Sequence, residues 1–276
     1  MIPARLAAAA LAATAAFALL PAAAAQAALH DTGLHDPAFH GTAPLDYVAL
    51  GDSYSSGTGT RDYFDEECRR SAKAYPQLLA DGLGAELDFA ACSGASTADL
   101  LATQLGSLDT ETDLVTVTIG GNDIEWARAI KACITPLLNC IDDIEASEVL
   151  VQTELPGLLD GAYGAIADRA PNADVYVLGY PHLFNGERAC GALRQPNVEE
   201  QLRMNEAADR LAEVLQNKAE EHDFTYVDVR ESFAGHAICD DVAYLNGLTY
   251  PTGESYHPNV LGHLDGYYPA VARALA

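Results

Sequence analysis

Positive charge is scarce in this 276-residue chain: 15 lysines and arginines stand against 40 aspartates and glutamates, a formal net charge of −25. Nucleic acid and anionic membrane surfaces would both be repelled, so neither is an expected partner. The acidic balance otherwise serves solubility. Six cysteines contain no Cys-x-x-Cys pair, which counts against a zinc site. No compact spacing of histidine with carboxylate supports another metal near Asp123 and Asp241. The N-terminal repeat Leu29-His30-Asp31, Leu34-His35-Asp36 does hold imidazoles and carboxylates that could bind one, but it reads better as part of a flexible N-terminus with scattered polar groups. No metal and no cofactor are expected. After residue 44 there is no low-complexity tract, long linker or second compositional regime. The length suits one α/β domain with a full core and is short for two.

A long apolar run is also missing. The stretch Leu6–Leu20 follows Arg5 and precedes Ala25-Gln26-Ala27, a small-x-small cleavage pattern, so residues 1–27 read as a signal peptide. The apolar core is short for a membrane-spanning anchor. The expectation is a secreted protein with no integral membrane association, a flexible N-terminal segment over 28–43, one domain over 44–276, and a monomer. All six cysteines, Cys68, Cys92, Cys133, Cys140, Cys190 and Cys239, lie beyond the signal segment. An even number in an exported chain points to three disulfides, with their pairing left open.

From residue 44, strand and helix patterns alternate. Strands are predicted at 46–50, 86–91, 114–119, 174–179 and 224–229. Most are short apolar runs rich in Val, Leu, Ile and Tyr without strict alternation, as in a parallel sheet buried on both faces. Helices are predicted over 198–221, with Leu202, Ala207, Leu211, Val214 and Leu215 as its apolar stripe, over 144–168 with a bend at Pro156, and over 260–275, where Leu261, Leu264, Tyr268, Val271 and Leu275 fall to one side. The alternation implies a three-layer α/β/α domain around a mostly parallel, five-stranded sheet.

Ligands of an open α/β sheet collect beyond the carboxyl ends of its strands. Four signals fall there in order: Gly51-Asp52-Ser53 after the first strand, Gly94 after the second, Gly120-Gly121-Asn122-Asp123 after the third, and His257-Pro258 before the last helix. Each alone is an ordinary turn or loop. Together they hold what ester cleavage needs. A serine hydroxyl is a weak nucleophile without a base, and histidine takes and returns a proton near neutral pH. Attack on a carbonyl puts charge on oxygen, which fixed donors must meet. The backbone N–H groups of Ser53 and Gly94 and the Asn122 amide are the candidate donors. His182, His222, His236 and His263 read as ordinary loop histidines.

The set Gly51-Asp52-Ser53-Tyr54-Ser55-Ser56-Gly57, Gly94, Gly120-Gly121-Asn122-Asp123 and His257-Pro258 resembles the blocks of the SGNH, or GDSL-type, hydrolases, most closely the secreted bacterial lipases and esterases of that family. Tyr54 stands where the family's short name has leucine. The resemblance spans about 45–276. It implies a flavodoxin-like hydrolase domain over 44–276, with Ser53 as nucleophile, His257 as base and an oxyanion hole of Ser53, Gly94 and Asn122. The wider family places Asp three residues before the histidine. That position here is Glu254, which becomes the expected orienting residue, with a main-chain carbonyl of the same loop as the other arrangement. The resemblance further implies sequential disulfides: Cys68–Cys92, Cys133–Cys140 and Cys190–Cys239.

The expected activity is that of a serine carboxylic ester hydrolase, a lipase or esterase working through an acyl-enzyme on a small-molecule or lipid ester. Phospholipase A and carbohydrate deacetylase are alternatives on the same fold, and a non-catalytic binding module is the alternative outside enzymology. The insert 131–148 is interrupted by Cys133, Pro136 and Cys140. It offers no long apolar lid, which favours an open cleft.

Overall fold

The computed structural model describes residues 44–135, 140–187 and 196–276, all within the compact unit Thr42–Ala276. The expected signal peptide, the 28–43 segment and Cys190 lie outside the described residues. Five strands, β1 (Asp46–Gly51), β2 (Glu86–Phe89), β3 (Leu114–Thr118), β4 (Asp174–Leu178) and β5 (Thr225–Val227), form one sheet in the order β2-β1-β3-β4-β5. Every pairing is parallel. This is the flavodoxin-like order, in which the chain reverses direction of growth between β1 and β3.

The sheet is covered on both faces, which explains its apolar strands. Tyr47 and Ala49 of β1 point to one layer, where they meet Tyr75 and Leu79 of α2 (Tyr75–Leu83) and Tyr267 and Val271 near the C-terminus. Val48 and Leu50 point the other way. With Val115, Val117, Val175 and Val177 they pack on Leu155, Leu159 and Ile166 and on Leu211 and Leu215. All five residues of β3 are buried, and its two polar ones, Thr116 and Thr118, are hydrogen-bonded to Tyr47 and Asp52.

The helices refine the sequence expectations. A four-residue helix α1 (Ser53–Ser56) follows β1, and α3 (Thr97–Asp99) runs into a π-helical turn, Leu100–Gln104. Helix α4 (Trp126–Cys133) follows β3. In place of one bent helix there are two, α5 (Ile141–Thr153) and α6 (Leu155–Arg169), and Pro156 sits in the first turn of α6. Its missing N–H costs nothing there, since that group has no partner within a helix. Helix α7 (Val198–Glu221) begins at an Asn197–Glu200 capping box. Its inward stripe holds Met204, Ala207, Leu211, Leu215 and Ala219, while Leu202 faces out.

The C-terminal element departs most. Gly262–Tyr267 winds as a π-helix before α8 (Tyr268–Ala274). The wider winding rotates the buried face, so Leu261 and Leu264 are exposed and His263 and Tyr267 are inside. His263 is therefore no loop histidine. Its Nδ1 accepts the Tyr75 N–H at 3.2 Å, and burial holds its pKa down to about 3, so the ring is neutral. Two disulfides lie among the described residues, Cys68–Cys92 and Cys133–Cys140. The Cys190–Cys239 pairing falls outside them.

Candidate active site

The site starts where β1 ends. A Cβ on Gly51 would lie 2.3 Å from the Thr118 carbonyl oxygen, and the residue has φ +123°, so close approach to β3 demands glycine. Gln104 brackets this turn, accepting the Gly51 N–H at 2.7 Å and donating to the Gly51 carbonyl at 2.9 Å. Asp52 then caps α1. One carboxylate oxygen accepts the Tyr54 N–H at 2.9 Å and the Thr118 hydroxyl at 2.8 Å, and the other accepts the Tyr180 hydroxyl. Burial raises its pKa to about 6, with these donors opposing the rise. Asp52 thus fixes the turn that presents Ser53.

Ser53 meets its partner across 204 positions: its Oγ lies 2.8 Å from His257 Nε2. The imidazole is partly open to the cleft, and its Nδ1 lies 2.8 Å from the Ser255 main-chain carbonyl. A carbonyl only accepts, so Nδ1 carries the proton and Nε2 is free to accept from the serine. Desolvation holds the ring's pKa down to about 4, opposed by the Ser255 bond and Glu254. The imidazole is therefore neutral, and a competent base, near neutral pH.

Glu254 does not orient His257, contrary to the sequence expectation. Its carboxylate turns the other way, accepting the Gly59 N–H at 2.9 Å and the Tyr63 hydroxyl, with Arg69 3.7 Å away. Arg69 also donates to the Gly253 carbonyl at 2.8 Å. The cause lies in the loop: residues 252–254 form a short 3₁₀ turn that puts the Ser255 carbonyl, rather than the side chain before it, beneath the ring. Glu254 instead staples segment 59–69 to the histidine loop.

The remaining candidate donors line the same space. Gly94 has φ +88°, and a Cβ there would meet nothing within 4 Å. Glycine is needed at this position for its backbone conformation and not for room. Its loop is held by the Cys68–Cys92 bridge and by the Ser93 N–H, which donates to the Cys68 carbonyl at 3.0 Å. The Asn122 Nδ2 donates to the Ala95 carbonyl at 2.9 Å, tying the third-strand turn to the Gly94 loop. Asp123 serves structure, receiving the Thr97 N–H and hydroxyl at the start of α3. Ser53, Gly94, Asn122 and His257 open on one cavity of about 750 Å³, which α4 and α7 line with mostly apolar side chains, Trp126 and Ile130 from α4 and Met204, Ala208 and Leu211 from α7, beside Lys131 and Asn205.

The Ser255 carbonyl is the second of the two arrangements that the resemblance implied for orienting His257. One further feature of the site escaped sequence reasoning. Tyr180 does sit just past β4, and the strand-end rule that located Ser53, Gly94 and Asn122 points to it equally. Among the described residues no group of three or more His, Cys, Asp or Glu side chains is arranged to hold a metal ion, and no helix is long and apolar enough to cross a membrane.

A parallel α/β/α sheet that brings serine, imidazole and amide donors to its carboxyl edge is the architecture of a serine hydrolase. Comparison with known proteins narrows the class. The GDSL-like Lipase/Acylhydrolase family model matches residues 49–264, and the chain belongs to that family, as a carboxylic ester hydrolase. It is 43% identical over 230 residues to lipase 1 of Streptomyces coelicolor, covering 82% of this chain and 85% of that protein. Among solved structures it resembles the extracellular lipase of Streptomyces rimosus (TM-score 0.79, 41% identity, 83% of this chain and 99% of that one). It also resembles phospholipase A1 of Streptomyces albidoflavus NA297 (TM-score 0.78, 39% identity, 84% and 99%).

Proposed function

We propose that this protein is a secreted, monomeric lipase or esterase that cleaves acyl esters through an acyl-enzyme on Ser53. The observation that carries the reading is the 2.8 Å contact between Ser53 Oγ and His257 Nε2 at the mouth of a cavity that α4 and α7 line with mostly apolar side chains. His257 Nε2 takes the serine proton as Oγ attacks the ester carbonyl. The oxygen, now negative, meets the N–H groups of Ser53 and Gly94 and the Asn122 amide. The imidazolium, steadied through Nδ1 by the Ser255 carbonyl, gives its proton to the leaving alcohol, and water repeats the cycle on the acyl-enzyme. The acyl chain lies along the wall between α4 and α7. Secretion is supported by the signal-like N-terminus, the disulfides and the extracellular lipase among its relatives.

A phospholipid substrate is the second reading, favoured by the likeness to the Streptomyces albidoflavus phospholipase A1. One panel separates them: aryl esters from acetate to palmitate, phosphatidylcholine vesicles and an acetylated sugar. Turnover of long aryl esters without phospholipid hydrolysis supports the first reading, and a preference for the vesicles supports the second. An organophosphonate should label the wild type and not Ser53→Ala. Absence of both labelling and turnover would overturn the proposal.

A further inference from the structure

Two tyrosines join the three turns of the site to one another. Tyr54 directly follows the nucleophile, and its hydroxyl donates to the Tyr256 carbonyl at 2.7 Å, 202 positions away. Tyr256 directly precedes His257 and has φ +62°, a conformation that a bulky residue keeps only when its surroundings hold it. Its N–H donates to the Asn246 carbonyl at 2.8 Å, and Asn246 in turn donates to the His257 carbonyl at 2.9 Å. The Tyr54 hydroxyl is thus the bond that crosses from the nucleophile's own turn to this strained segment. Tyr180, at the end of β4, makes the second link: its hydroxyl donates to Asp52, which caps the nucleophile turn, and accepts the Gly121 N–H at 3.2 Å, one residue before Asn122.

The two rings also touch. Tyr54 and Tyr180 pack edge to face with centroids 5.1 Å apart, and the Tyr54 ring lies 5.4 Å from the imidazole. Burial drives both phenol pKa values far up, so each hydroxyl keeps its proton and remains a donor. Neither hydroxyl reaches Ser53 Oγ or His257 Nε2, so neither exchanges a proton with the reacting atoms.

We propose that Tyr54 and Tyr180 are positioning residues: Tyr54 sets the base loop against the nucleophile, and Tyr180 sets the nucleophile turn against the Asn122 turn. This rests on the reading of Ser53 and His257 as the catalytic pair. Proximity is steep, and a displacement on the order of 1 Å costs about a hundredfold in rate. Loss of one such bond, with the ring retained, therefore costs rate more than binding.

The test uses Tyr54→Phe, Tyr180→Phe and the double variant. An organophosphonate first titrates the competent sites, and kcat and KM on a soluble aryl ester are then expressed per titrated site. Each single variant should lose about ten- to a hundredfold in kcat, with KM within about twofold. The double variant should fall well short of the product of the single losses, because both act on one unit. Wild-type kcat per titrated site in Tyr54→Phe and Tyr180→Phe, with only a lowered Tm, would overturn the inference and leave the pair as scaffold. If Tyr180→Phe gives no titratable protein, Tyr54→Phe alone decides. A wild type that fails to titrate at Ser53 would instead overturn the reading of the catalytic pair.

Discussion

The His257 imidazole donates a hydrogen bond from Nδ1–H to the main-chain carbonyl of Ser255, 2.8 Å away, while the nearby Glu254 carboxylate is engaged by Gly59, Tyr63 and Arg69. The base is thus oriented by the shape of its loop and not by an acidic side chain, and the consequences can be measured.

Glu254→Gln should keep kcat/KM within about threefold of wild type, whereas neutralising an orienting aspartate in a true triad costs about 10⁴. Glu254 is a nearly buried acceptor, so its loss should appear as a lower Tm. Kinetics and thermal melts on the same preparation separate the two effects.

If Asn122 belongs to the proposed oxyanion hole, Asn122→Ala should lower kcat by about 10²–10³ with little change in KM, because its amide would meet charge that exists only in the transition state. Steady-state kinetics on an aryl ester checks this. Near-normal turnover would remove Asn122 from the oxyanion hole.

The pH profile follows from the depressed imidazole. Protonated His257 cannot act as base, and burial holds its pKa down to about 4. On a soluble ester, kcat/KM should therefore rise with pH through about 4 and be level by neutrality, where an unperturbed histidine would place the limb near 6.5. Asp52, raised to about 6, is the other group in range. A limb near 6 that vanishes in Asp52→Asn belongs to that carboxylate.

Removing the first disulfide tests the oxyanion loop. Cys68→Ser with Cys92→Ser opens a link spanning 24 positions, for which chain entropy gives roughly 3 kcal/mol of lost stability. Because Ser93 donates to Cys68 and Gly94 follows it, kcat should fall as well, even at temperatures where the variant is fully folded by circular dichroism.

Ala208→Phe places a ring into the cavity from α7. Activity on palmitate esters should drop at least about tenfold relative to acetate esters, since each buried methylene contributes separately to discrimination. An unchanged chain-length profile would place the acyl chain elsewhere.

Much of this was legible in the sequence, for identifiable reasons. The strands were readable because burial on both faces leaves residues 47–50 of β1 wholly apolar and fills β3 with Leu, Val and buried Thr. Ser53, Gly94 and Asn122 were readable because each sits at a strand end, where topology alone directs residues to one rim. Pro156 marked a boundary correctly but not its kind, since a proline in a first turn and a proline at a bend look alike in sequence. The final helix misled because the i+3/i+4 spacing of Leu261 and Leu264 assumes α winding, and the chain there winds wider. Glu254 misled because residue type cannot reveal which way a side chain leaves a 3₁₀ turn. The bond that replaced it is made by a backbone atom, which every residue supplies alike.

That last feature bears on how the enzyme can be altered. No codon change deletes a peptide carbonyl, so the histidine's support survives any single replacement at 254 or 255 that preserves the local backbone path. An inserted or deleted residue between Thr252 and His257 would strand the ring at once. Directed evolution toward acid or solvent tolerance can therefore change the chemistry of these positions at a cost in stability, through the bonds of Glu254 and of the Ser255 hydroxyl, without deleting the imidazole's acceptor, provided the number of residues in the segment stays fixed.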